Sequence, residues 1–72
     1  MADYDLTAEE KISVINSHIK NINYNKFNAE LVIVEENAAI SPDASAVTRS
    51  NAQIAEADAQ IAALEAQIES LS

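Results

Sequence analysis

The side chains that could do chemistry are few, and their spacing decides what they can do. His18 is the sole imidazole and so the sole group whose ordinary pKa suits proton transfer near neutral pH. No acid stands three or four residues from it on either side, and no nucleophile is positioned to use it. An exposed histidine flanking a helix seam is the expectation. The carboxylates invite a metal reading, because di-iron bundles take Glu-x-x-His pairs from facing helices. Here Ile15 occupies the place three residues before His18. Asp3 and Asp5 have a calcium-like spacing, but the rest of an EF-hand loop is missing. Glu35-Glu36 and Glu65/Glu69 read as solvated faces. The serines and threonines lack the base and orienting group that a nucleophile needs. A glycine-rich phosphate loop is excluded, since the chain has no glycine. The sequence therefore predicts no catalytic, cofactor-binding or metal site, and a protein that works by association and not as an enzyme.

The elements that remain must then explain the chain by packing. With 72 residues there is room for one small domain. Domains of this size usually need disulfides, a metal or a partner chain to bury enough surface. Cysteine is absent, which removes disulfides and leaves self-association as the expected route. The net charge is −8, from four basic and twelve acidic residues. Such a surface repels polyanions, and the basic residues do not cluster, so nucleic acid is not an expected partner. Tyr4, Tyr24 and Phe27 are too few to form a base-stacking platform. Leu31-Val32-Ile33-Val34 is the longest large-aliphatic run, far short of the ~20 residues of a membrane span. The start, Met1 to Asp5, has neither the basic nor the apolar region of a secretory signal. A cytoplasmic protein is expected.

Helix starts are well marked. Thr7-Ala8-Glu9-Glu10 reads as a capping box opening helix one, with residues 1–6 a flexible arm before it. Ile12, Ile15, Ile19 and Ile22 then recur at spacings of three and four, forming one stripe. The next apolar set, Phe27, Leu31, Val34 and Ala38, is offset by one residue, which predicts a stutter or local change of winding. Asn21, Asn23, Asn25 and Asn28 weaken helix propensity there. A strand over this stretch is the competing reading, but it would have nothing to pair with, so helix is preferred. Tyr24 and Phe27 are expected to pack at the phase shift. Ser41-Pro42-Asp43 marks the break: serine as N-cap, proline at the first helical position, and helix one ending near Ala39 or Ile40.

Helix two carries the clearest pattern. Ala-Gln-Ile recurs every seven residues at 52–54, 59–61 and 66–68. Val47, Ile54, Ile61 and Ile68 take heptad position a; Ser50, Ala57, Leu64 and Leu71 take d. Laid antiparallel, the helices pair Ile12 with Leu71, Ile15 with Ile68, Ile19 with Leu64 and Ile22 with Ile61. The residue numbers in each pair total 83, which centres the turn between Ser41 and Pro42. In this register Glu65 falls near Asn16, Asp58 near Asn23 and Gln67 near His18. The small Ser50 and Ala57 would admit a bulky neighbour such as Phe27 or Tyr24.

The expected fold is all-α: an antiparallel two-helix coiled-coil hairpin with helix one over 7–40, a turn at 41–43 and helix two over 44–72. One two-helix layer buries little, so a dimer forming a four-helix bundle is expected. Its packing residues would be Ile12, Ile15, Ile19, Ile22, Phe27, Leu31, Val34, Val47, Ile54, Ile61, Leu64, Ile68 and Leu71. A parallel zipper through helix two competes, but Ser50 and Ala57 weaken its first half.

The stretches Ala2 to Ile12, Ser41-Pro42-Asp43-Ala44 and Asn51 to Ile68 together resemble small uncharacterised helical proteins of marine tailed phages, especially T4-like cyanophages. That resemblance carries no functional residues with it. It implies a virion component, an assembly aid or a host-directed accessory protein, placed in the virion or host cytoplasm. Two functions follow as expectations. One is a homo-oligomeric structural or assembly module, whose partner is itself and possibly another protein. The alternative is an acidic binding protein covering a basic surface of a target through Glu56, Asp58, Glu65 and Glu69.

Overall fold

A computed structural model describes residues 4–72. It contains two α-helices, α1 over Ala8–Asn37 and α2 over Ala44–Leu71, packed against each other as a hairpin 61 Å long and 17 by 15 Å across. The all-helical hairpin expected from the sequence is what the chain forms. Residues 21–34 are helical throughout, despite their asparagines and β-branched residues. Packing along a neighbouring helix outweighs the few tenths of a kcal/mol per residue that such propensities carry. Of the expected arm at 1–6, residues 1–3 lie outside the described residues, and so does Asp3 of the calcium-like pair. Tyr4 to Leu6 are non-helical and exposed.

The capping box forms as the sequence predicts. The Glu10 backbone N–H donates to Thr7 Oγ1 at 3.1 Å, and the Thr7 N–H donates to Glu10 Oε1 at 2.9 Å. These bonds hold the Glu10 carboxyl below its usual range, the backbone bond to Thr7 contributing most.

The break between the helices differs in detail. The N-cap of α2 is Asp43 and not Ser41: its carboxylate accepts from the Ser45 and Ala46 backbone N–H groups at 2.9 and 3.3 Å. Pro42 therefore precedes the cap instead of opening the helix. The Asp43 N–H donates in turn to Glu36 Oε2 at 2.8 Å, so the last turn of α1 clasps the first of α2. Helix one ends at Asn37, with Ala38 as C-cap, short of the Ala39–Ile40 limit inferred from proline alone. The extra residues give Glu36 the reach to close the turn.

Partly covered positions on α1 are Ile12, Ile15, Ile19, Ile22, Lys26, Ile33 and Glu36, with Ala29 fully buried. The three-four spacing thus runs unbroken from Ile12 to Glu36, and the expected stutter is absent. Continuing the antiparallel count places Lys26 opposite Ala57, Ala29 opposite Ile54, Ile33 opposite Ser50 and Glu36 opposite Val47. The one ion pair among the described residues, Lys26 Nζ to Asp58 Oδ1 at 2.7 Å, lies within a residue of that register. Asp58 is bonded to Lys26 and not to the Asn23 amide, because an ammonium is the stronger donor to a carboxylate.

The buried core is small in every sense. Among the described residues Ala29, Ala57 and Ser50 are buried, and no large side chain is. The isoleucines and leucines on either side of them along the same face are mostly covered. Neither Tyr24 nor Phe27 packs beside Ser50 or Ala57; both face solvent.

Candidate interaction surface

Four large side chains of α1 form a second stripe: Tyr24, Phe27, Leu31 and Val34 are 72%, 58%, 39% and 61% exposed. Their spacing is again three, four, three. At 100° per residue this stripe is centred about 160° around α1 from the stripe that meets α2. α1 therefore has two apolar faces, one covered by α2 and one bare. Scattered exposed apolar residues need no explanation, but a contiguous stripe is a candidate contact surface.

The residues expected to pack divide accordingly. Ile12, Ile15, Ile19 and Ile22 lie on the face between the helices with Ile61, Leu64, Ile68 and Leu71, and Val47 and Ile54 lie on that face nearer the turn, opposite Glu36 and Ala29. Phe27, Leu31 and Val34 are not in that interface. The apparent phase shift was a change of face. Lys26 and Glu36 are charged and Ala29 is small, so the inner stripe fades from an apolar count where the outer one begins. Extending the three-four count past Ile22 would have found Lys26, Ala29, Ile33 and Glu36.

The rim of the outer stripe is mostly amide. Asn21 and Asn28 flank it on one side, Asn23 and Asn37 on the other, all exposed. Charge is unevenly spread along the chain. Residues 11–34 hold Lys11, Lys20 and Lys26 against the single acid Glu30, whereas eleven of the twelve acids lie outside that span. Lys26 is further committed: its hydrogen bond to Asp58, with smaller contributions from the charges of Asp58 and Glu30, raises its pKa.

Two other depressions lie along the hairpin. A groove of about 430 Å³ runs past Lys26, Ala29, Val32, Gln53, Glu56 and Gln60. It is open and lined by polar and apolar side chains alike, and the Gln60 amide donates to the Glu56 carboxylate there at 3.3 Å. A shallower cleft of about 290 Å³ lies at the open end, between Leu6, Val14, Ile15 and Leu71. His18 is exposed and has no carboxylate partner among the described residues. Nor do three His, Cys, Asp or Glu side chains gather among them in a way that could hold a metal ion. No described helix is long and apolar enough to cross a membrane.

No family model, curated protein or solved structure matches the chain. The surface must be interpreted from its own chemistry.

Proposed function

We propose that this chain is a non-enzymatic structural or assembly module, a helical hairpin that self-associates and so scaffolds or joins other proteins. The observation that carries this reading is the bare stripe Tyr24-Phe27-Leu31-Val34, opposite a face already covered by α2. The hairpin exposes 5535 Å², about 1,200 Å² more than a compact monomer of its mass would. Covering apolar surface is worth ~25 cal/mol per Å², and this chain has no disulfide to supply stability otherwise. The resemblance to small phage proteins adds a setting, a virion component or accessory protein.

The second reading is an acidic binder of a basic target. The charge of −8 favours it, but Asp58, one of the four α2 acids it would use, is spent on Lys26 within the chain.

Molar mass by light scattering over a wide concentration range tests the first reading, with Ile61→Asp as a companion. A constant dimer supports it, and Ile61→Asp, on the face between the helices, should unfold the chain whatever its mass. A folded monomer at every concentration overturns self-association.

A further inference from the structure

We infer that the partner on the outer stripe is a second copy of this chain, docked antiparallel, α1 against α1, about a two-fold axis level with Ala29. This rests on the self-association just proposed and specifies its geometry. A two-fold interface must be complementary to itself. A three-four-three stripe read backwards is again three-four-three, so it can meet its own reverse. Setting Phe27 opposite Leu31 of the partner subunit also sets Tyr24 opposite Val34 of the partner subunit. Each aromatic ring then lies on an aliphatic side chain, with no ring forced against a ring.

Charge selects the same face. Two copies of an acidic chain repel one another wherever their acids meet, and α2 carries Glu56, Asp58, Glu65 and Glu69 against the one cation Arg49. The α1 span that would meet its copy, residues 20–38, holds Lys20 and Lys26 against Glu30, Glu35 and Glu36 and so is near neutral. In the antiparallel register the rim brings Asn21 beside the partner's Glu35, Asn23 beside the partner's Asn37, and Asn28 beside the partner's Asn28. An amide can donate to a carboxylate and can both donate to and accept from another amide. Lys20, in line with the stripe, falls opposite the partner's Ala38, within reach of the partner's Glu35. The one unfavourable meeting is Glu30 with the partner's Glu30 near the axis, softened by Lys26 one turn away. The α2 helices end on the outside, so the four helices lie in a row, α2-α1-α1-α2. The square bundle that shared heptad seams would give is not this arrangement, because each chain closes its own seams internally.

The natural absence of cysteine makes the register directly readable. Asn28→Cys and Ala59→Cys, each an exposed single site, would be treated with a short bismaleimide after the molar mass of each is measured. Asn28→Cys should cross-link to a dimer and Ala59→Cys, on the outward face of α2, should not. Phe27→Glu should weaken the dimer at least about tenfold while circular dichroism shows the helices intact, since Phe27 takes no part in the hairpin core. Glu30→Gln should tighten it about threefold by removing the like-charge meeting. A dimer that cross-links through position 59, or that Phe27→Glu leaves unchanged, overturns this geometry and leaves self-association standing. A wild type that stays monomeric overturns both.

Discussion

Replacing Ile61 by alanine removes three carbons from the face between the helices, where the antiparallel register sets it against Ile22. Each buried methylene is worth ~0.8 kcal/mol, which would total about 2.4 kcal/mol for complete burial. Ile61 is only partly covered, and its site opens to solvent, so no sealed cavity is left behind. A loss of about 1.5 kcal/mol is expected. For a chain of this size 1 kcal/mol moves Tm by roughly 4–8 °C, so Ile61→Ala should melt about 6–12 °C lower by circular dichroism. Phe27→Ala, on the other face of α1, serves as the internal comparison. At protein concentrations below self-association it should change stability by less than about 0.5 kcal/mol. Its effect should grow as concentration rises, because a partner that binds only the folded chain adds its own stabilisation. A Tm unchanged by Ile61→Ala, or lowered equally by both substitutions at high dilution, would refute the division of α1 into an inner and an outer face.

The helix ends supply further tests. Thr7→Ala should cost about 1 kcal/mol and Asp43→Ala a similar amount in urea unfolding, each by exposing amide groups that the cap now satisfies. The lowered pKa of Glu10 means that its contribution is in full force above the ordinary carboxylate pKa and fades as pH falls through the lowered value. Acid unfolding of Glu10→Gln should therefore begin from a lower Tm at neutral pH and show a shallower decline below about pH 4. The raised pKa of Lys26 has the opposite sense: its contribution is complete below about pH 10 and is lost as pH climbs through the raised value. Lys26→Met should remove that alkaline sensitivity from thermal melts.

Much of the hairpin could be read from the sequence because its determinants are local. Thr7 and Glu10 lie three residues apart, and one turn of helix brings them together whatever the rest does. The heptads of α2 and the isoleucines of α1 fix a register that the Lys26–Asp58 pair meets to within a residue. What could not be read depended on contacts across the turn. Ser41 and Asp43 both have side chains suited to an N-cap, and the bond from the Asp43 N–H to Glu36 belongs to the tertiary fold. The outer stripe was misplaced for another reason: a count of large apolar residues favours Phe27 and Leu31 over Lys26 and Ala29. A partly covered lysine and a buried alanine keep the inner period without looking apolar.

We propose that association covers the bare face of α1. Sedimentation equilibrium of the wild type beside Phe27→Glu tests it most directly. The wild type should have twice the 7.7 kDa chain mass and the variant the chain mass, both equally helical. Equal masses for the two would contradict it.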